Sequence, residues 1–242
     1  MRSIIVVTTY QEALNIERFL DAARRAVPEA DILVADDNSP DGTGALAEKL
    51  GAEMGGVHVL HRPGKAGLGA AYREAFAWAL EEGYDHIVQM DCDLSHDPAC
   101  IPGMFERIEA GADCVIGSRY VPGGSTPNWP THRSALSRYG NRYTAALLGL
   151  DIRDCTSGFR AYRASTLADI HVGTTRSSGY AFMSELALRM SRQGKSLAEV
   201  PITFVDRAFG TSKMSARIIA ESMLLVTAWG VRERVRRLKA RR

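Results

Sequence analysis

The feature that most constrains this chain is a repeated pairing of short apolar, β-branched runs with stretches of helical spacing. The runs are Ser3 to Thr8 (SIIVVT), Asp31 to Ala35 (DILVA), Val57 to Leu60, His86 to Met90 and Asp113 to Gly117. Their continuous apolar character, rather than strict alternation with polar residues, reads as strands buried on both faces. Residues 12–26, 70–82 and 99–110 read as helices; the first carries Leu14, Phe19, Leu20 and Ala23 at helical intervals, with Val27 just beyond. After the second strand, NSPDGT supplies a turn and a further helix start. Strand and helix alternating over about 120 residues predict an α/β fold, a mostly parallel sheet with helices on both faces. Ligands of such sheets collect outside the carboxyl ends of the strands.

Beyond this region the pattern is less regular. Residues 120–132 read as a Gly/Pro loop, 134–149 and 178–193 as helices, 198–205 as a strand, and 214–238 as a helix. Neither an internal repeat nor a linker is visible, so the expected organisation is one domain over residues 1–213 with a C-terminal helical extension over 214–242.

Two strands end in acidic groups, Asp36-Asp37 and Asp91-Cys92-Asp93. If the backbone is still extended at 91–93, the carboxylates of Asp91 and Asp93 project to one side. Two carboxylates so close repel each other unless a cation or hydrogen-bond donors lie between them. Oxygen ligands suit a hard ion, Mg²⁺ or Mn²⁺, that keeps some water and bridges substrate phosphates. The competing reading is a capping turn, since Asp97-Pro98 starts the next helix. These residues alone leave both open.

The remaining signals exclude more than they assign. Cys92, Cys100, Cys114 and Cys155 form no CxxC pair and no zinc spacing, which reads as free thiols in a reducing cytoplasm. The N-terminal apolar run is too short for a signal peptide, and no run of 18 apolar residues exists to span a bilayer. Gly64-Lys65-Ala66-Gly67-Leu68-Gly69 fails the phosphate-loop pattern and reads as a tight turn opening a helix. Trp78, Trp129 and Trp229 make no stacking series, so nucleic acid is not an expected partner. Of six histidines only His96 and His132 lie near these motifs, and both read as turn or capping residues, so no general base is evident.

The net charge of +2 is unevenly placed. From Arg232 to Arg242 there are seven Arg or Lys against one Glu, which leaves the rest of the chain acidic. Just before this run, Ile218, Ile219, Ser222, Leu225, Val226 and Trp229 share one side of a helix, and the uncharged stretch covers only Ser222 to Val231. Such a segment is too short to span but suits a helix lying in a membrane interface. The alternative is a helix packed on its own domain with a solvated basic tail.

TTYQEALNI, VADDNSPDGT, GLGAAYREAF, QMDCDLSHDP, GSRYVPGG, SGFRAY and EVPITFVDRAFGTSKM occur in this order over about residues 3–215. Together they resemble the family-2 glycosyltransferases of the dolichol-phosphate mannose synthase group, the polyprenol monophosphomannose synthases. The resemblance implies a GT-A, Rossmann-like single domain, GDP-mannose as donor and a polyprenyl phosphate as acceptor. It implies that Thr8, Tyr10 and Glu12 form the first nucleotide loop, Thr8 standing where many members have proline. Val34 and Asp36 match positions bordering base and ribose, and the Gly64–Gly69 loop matches one that lies near the donor in a supporting role. Asp91, Cys92 and Asp93 match the metal and diphosphate motif, and Ser95 a position that completes the metal shell. Arg119, Arg207 and Lys213 match cationic positions around diphosphate and sugar, and Arg133 and Ser137 the acceptor-phosphate site.

The chemistry agrees with that assignment. Cleaving a sugar–diphosphate bond puts negative charge on the leaving group, which Asp93 with its metal, Arg207 and Lys213 are suited to stabilise. A phosphate acceptor is anionic at pH 7 and attacks without a strong base, and arginine offers it a bidentate fork, hence the roles expected of Arg119 and Arg133. Attack from the far face would invert the anomeric configuration. The resemblance also implies a cytoplasmic protein, peripheral at the inner face of the cell membrane, with or without a separate membrane-embedded subunit. The alternatives are transfer of glucose or an aminosugar from a UDP-sugar, and a catalytically silent subunit that only binds a partner.

Overall fold

The computed structural model of the chain describes residues 1–177, 179, 181–207 and 216–240; of 216–219, 237, 238 and 240 the backbone alone is described. Seven strands form one sheet: β1 (Ser3–Thr9), β2 (Asp31–Asp36), β3 (Val57–His61), β4 (His86–Asp91), β5 (Cys114–Ser118), β6 (Arg160–Arg163) and β7 (Leu197–Pro201). The helices are α1 (Ile16–Ala26), α2 (Thr43–Met54), α3 (Leu68–Glu81), α4 (Ile101–Glu109), α5 (Thr131–Leu148), α6 (Ala164–Asp169), α7 (Ala181–Arg192) and α8 (Ala216–Ala240). The strand order is β3-β2-β1-β4-β6-β5-β7. β6 runs antiparallel to both β4 and β5, and all other pairs are parallel.

The unbroken apolar runs are explained by the two faces they serve. Successive residues of a strand point to opposite sides, and both sides are covered. Ile4 and Val6 join Leu33, Tyr72, Phe76 and Phe182 in one core, under α3 and α7. Ile5 and Val7 join Ile32, Val34, Phe19, Leu20 and Met104 in the other, under α1 and α4. In α1 the buried residues Ile16, Phe19, Leu20 and Ala23 follow the i, i+3, i+4, i+7 spacing of one helix face.

The sequence reading contains no counterpart to β6. Its four residues, RAYR, include two arginines, and Arg160 is fully buried. Its guanidinium donates to the carbonyl oxygens of Ser157, Cys155 and Met183, each at 2.9 Å, so backbone acceptors replace the water it loses. β7 ends at Pro201, so the expected strand over 198–205 is shorter; residues 203–207 continue as an irregular segment toward the site.

α8 is one continuous helix lying against α5 and α7. Val226 is buried in the core under α3, the Thr227 hydroxyl pairs with Tyr143 Oη at 2.8 Å, and Gly230 abuts Leu147 closely enough that a Cβ would sit 3.0 Å from its side chain. Buried Glu233 accepts from Arg192 Nε at 2.8 Å. The face holding Val226 and half-buried Trp229 is thus turned toward the domain. On the opposite side Leu224, Val231 and Val235 are 72%, 56% and 47% exposed. No helix among the described residues is long and apolar enough to cross a membrane.

Candidate active site

The parallel strands deliver their carboxyl ends to one edge of the sheet, and a cavity of about 510 Å³ opens there. Register sets the neighbours: Thr8 of β1 lies beside Asp91 of β4, and Thr9 of β1 beside Asp36 of β2. β1, between β2 and β4, is where the strand order reverses, the usual place for a ligand crevice. Because β6 is antiparallel, the chain entering it, Ser157-Gly158, reaches the same edge, and so does the Phe204–Arg207 segment after β7.

Thr8, Tyr10, Glu12, Asp91, Cys92, Asp93, Ser95, Arg119, Arg133 and Arg207 all line this cavity. Three other expected residues do not. Val34 is wholly buried in the sheet core. Asp36 is buried behind the wall, where its carboxylate accepts from Thr9 Oγ1 at 2.7 Å and from Ser39 Oγ at 2.6 Å and Ser39 N at 2.9 Å. Its neighbour Asp37 faces the cavity instead, paired with buried Arg62, which also bonds Glu74 Oε2 through Nε at 2.9 Å. Ser137 accepts from Tyr120 Oη at 2.6 Å, away from the lining. Lys213 lies outside the described residues.

At the acidic end the strand stops at Asp91, and Cys92 and Asp93 already belong to a turn. The extended geometry expected for the pair is therefore absent, yet both residues face the cavity. The Asp91 side chain is 44% exposed. Asp93 is buried, accepts from Ser95 N at 3.0 Å, and lies 3.0 Å from an Arg207 guanidinium nitrogen. The Ser95 hydroxyl is buried with no hydrogen-bond partner among the described residues. Two carboxylates and an orphaned hydroxyl are hard oxygen donors of the kind Mg²⁺ or Mn²⁺ takes, so the residues present fit such an ion. No group of three or more His, Cys, Asp or Glu that could hold a metal ion is found among the described residues.

His96 lies beside this end, stacked on Phe159 at 5.2 Å and edge-on to Phe204 at 5.3 Å. Burial pushes its pKa down to about 4, so the ring is neutral at pH 7. The arginines of the cavity are each held by a carboxylate. Arg119 meets Asp154 through two 2.7 Å hydrogen bonds. Arg133 meets Asp206 at 2.9 and 3.0 Å, with its guanidinium carbon 3.9 Å from the centre of the Trp129 ring. Lys65 Nζ lies 4.4 Å from the centre of the Tyr10 ring.

Residues 4–170 match Glycosyl transferase family 2. The chain belongs to this family. Among its relatives, the family 2 chain is 48% identical over 241 residues to the undecaprenyl-phosphate mannosyltransferase of Micrococcus luteus, a match covering all of this chain and 99% of that one. It is 46% identical over 239 residues to the polyprenol monophosphomannose synthase of Mycolicibacterium smegmatis, covering 98% and 90%. In fold it is similar to glucosyl-3-phosphoglycerate synthase from Mycobacterium tuberculosis, with a TM-score of 0.67 at 18% identity over 95% of this chain and 79% of that one. The GT-A-like α/β architecture expected from the sequence is therefore the one observed.

Sequence reasoning passed over several residues of this family 2 site. The loop read as a tight turn near the donor supplies Lys65, Gly67 and Leu68 to the cavity wall, and Trp129, read as part of no stacking series, lines it too. Asp154 carries no local signal, because its partner Arg119 is 35 residues away. Asp206 sits within the quoted FVDRAFGTSKM run, but its contacts with Trp129 and Arg133 span 77 and 73 residues. What the arrangement offers chemically is an acidic, oxygen-rich end beside a series of guanidinium groups, all at one mouth.

Proposed function

We propose that this chain transfers mannose from GDP-mannose to a polyprenyl monophosphate, with inversion at the anomeric carbon, at a membrane surface. The observation that carries the reading is its full-length identity of 46–48% with two relatives whose names state mannosyl transfer to undecaprenyl phosphate and synthesis of a polyprenol monophosphomannose. The site agrees with it in chemistry.

Asp91, Asp93 and Ser95 would hold a Mg²⁺ or Mn²⁺ ion, which supplies positive charge beside the donor diphosphate. Tyr10, Glu12 and Asp37 border the part of the cavity suited to the nucleoside. Arg207, beside Asp93, stabilises negative charge on the departing GDP as the sugar–phosphate bond breaks. Arg133, which also lines the cavity, offers guanidinium donors to the acceptor phosphate. A phosphate oxygen then attacks the anomeric carbon opposite the leaving group, so an α-linked donor gives a β-linked product. No side chain need remove a proton, because the acceptor is already ionised at pH 7. The cavity's one imidazole, His96, is a poor proton acceptor at that pH. The exposed apolar side of α8, with Arg232 and Arg234 beside it, supports a membrane-surface location, where a polyprenyl tail would reside.

The test is incubation of the full chain with GDP-mannose or UDP-sugars, Mg²⁺ or Mn²⁺, and a short polyprenyl phosphate, read by mass spectrometry and product NMR. A hexose added from GDP-mannose in β linkage is expected. Transfer only from a UDP-sugar would overturn the donor assignment, a retained α linkage the inversion, and no transfer from any donor the enzymatic reading.

A further inference from the structure

The segment 203–207 after β7 is tied down from two sides. Phe204 N donates to Ser125 O at 2.9 Å, and Val205 N to Ser95 O at 3.2 Å. From this anchored position Asp206 accepts three hydrogen bonds. Trp129 Nε1 reaches Oδ1 at 3.1 Å, Arg133 Nη2 reaches Oδ1 at 3.0 Å, and Arg133 Nη1 reaches Oδ2 at 2.9 Å. The Trp129 ring in turn lies flat enough against Arg133 to place the guanidinium carbon 3.9 Å from its centre. One carboxylate thus fixes both the arginine and the aromatic ring that supports it, at the mouth of the cavity.

The arrangement leaves the arginine usable. A guanidinium has five N–H donors in a rigid plane. The grip of Asp206 takes one N–H from each Nη at the end of the fork. The lateral edge, Nε–H with an outer Nη–H, is a second bidentate face, the geometry that phosphate oxygens accept. A flexible arginine at 39% side-chain exposure would otherwise sample many rotamers. Held at its tip by Asp206 and on its flat face by Trp129, it has, among the described residues, one edge left to present.

We propose that Asp206 is a positioning residue for the acceptor: with Trp129 it holds Arg133 so that the free guanidinium edge meets the acceptor phosphate. The next residue, Arg207, pairs with Asp93 at the donor end, so two consecutive residues of one anchored segment serve the two substrates separately. The proposal rests on the reading that Arg133 receives the phosphate of a polyprenyl phosphate.

The experiment compares the full-length chain with Asp206→Asn, Asp206→Glu and Trp129→Phe. Initial rates are measured with each substrate varied in turn, and binding of a short polyprenyl phosphate without donor is followed by intrinsic fluorescence. Asp206→Asn keeps the shape but replaces one accepting oxygen by a donor; it is expected to raise the acceptor KM and weaken acceptor binding about tenfold. The donor KM stays as in the wild type. Asp206→Glu, which restores the charge, recovers part of the loss, and Trp129→Phe, which keeps a ring but loses the N–H, gives a smaller rise. A merely structural role would instead lower kcat or raise both KM values together, and that result would overturn the proposal. So would unchanged or tighter acceptor binding in Asp206→Asn. Should that variant melt well below the wild type, Trp129→Phe decides by the same acceptor-against-donor split. A wild-type chain that neither binds nor mannosylates polyprenyl phosphate would sink the functional reading itself, and the positioning role with it.

Discussion

Arg119 and Asp154 form a two-pronged ion pair in which the carboxylate has no exposed surface and the arginine is nearly as enclosed. Arg119 N adds a third bond to the same carboxylate at 3.1 Å, and Thr156 Oγ1 accepts from the arginine at 2.9 Å. Asp154 lies behind the lining while Arg119 forms part of it, so a carboxylate outside the site sets the orientation of a cation within it.

Removing one member of such a pair leaves a buried charge without compensation, which costs roughly 3–5 kcal/mol. Asp154→Ala is therefore expected to lower the unfolding free energy by about that amount in urea denaturation. The pH dependence has a defined sign. Burial alone would raise the Asp154 pKa, but the Arg119 charge and hydrogen bonds outweigh it and hold the carboxyl below the usual range. A depressed carboxyl contributes stability at pH values above its unfolded pKa of about 4, and loses it as pH falls through the folded value. Between pH 7 and pH 3 the wild type should lose stability more steeply than Asp154→Ala. Parallel curves would show that the pair carries no such linkage.

The acid pair gives a second expectation. Asp93→Asn keeps the shape of the turn and the Ser95 contact but removes the charge paired with Arg207. Transfer is expected to fall about 10²–10³-fold in kcat, the scale on which removing one group from a charge-stabilising site acts. Chelation of divalent ions by EDTA is expected to abolish wild-type transfer, and added Mg²⁺ or Mn²⁺ to restore it. Full activity in EDTA would remove the ion from the scheme.

A third concerns the loop that enters α3. A Cβ built on Gly69 would lie 2.1 Å from the Ser177 carbonyl oxygen, so only glycine permits α3 to seat against that strand of backbone. Arg73 Nη1 donates to the same oxygen at 3.1 Å. Gly69→Ala should push the two apart, cost roughly 1–3 kcal/mol as overpacked sites do, and raise the donor KM several-fold because Gly67 and Leu68 line the cavity. Gly64, with open space around its Cβ position, is the control, and Gly64→Ala should change neither melting nor KM. Identical behaviour of the two variants would contradict the packing argument.

What the sequence disclosed of this molecule follows a physical division. β1, β2, β4 and β5 were readable because strands buried on both faces must be apolar throughout, and the ends of β2 and β4 were marked by acids. β6 was not, because Arg160 is made tolerable by three carbonyls from Cys155, Ser157 and Met183, a compensation invisible in four residues. The cavity residues that sit next to strand ends, such as Tyr10 and Asp93, were named from motif alone. Asp154 and Asp206, which pair with Arg119 and Arg133, were not, because those contacts exist only once the chain is folded. At Asp36-Asp37 the motif named Asp36, whereas Asp37 is the one that lines the cavity, since a one-residue step along the chain changes which face a carboxylate takes.

The last expectation concerns α8, which is apolar on two sides. The face around Val226 packs on the domain, whereas Leu224, Ala228, Val231 and Val235, spaced i, i+4, i+7, i+11, point outward. The sequence favoured the first face for a membrane; the structure leaves the second available for one. Replacing Leu224, Val231 and Val235 together by serine removes apolar area without altering charge. Each apolar side chain buried in the interface contributes on the order of 1.5–3 kcal/mol, so sedimentation with vesicles containing phosphatidylglycerol should weaken at least about tenfold. Melting should stay near the wild type, because those side chains are largely exposed. Val226→Ser should do the reverse, lowering the melting temperature while leaving vesicle binding close to unchanged. Raised salt should weaken binding of the wild type, since Arg232 and Arg234 beside the stripe each contribute about 1 kcal/mol at an anionic surface. Vesicle binding that survives the triple serine variant but is lost in Val226→Ser would mean that α8 leaves the domain to meet the membrane with its inner face.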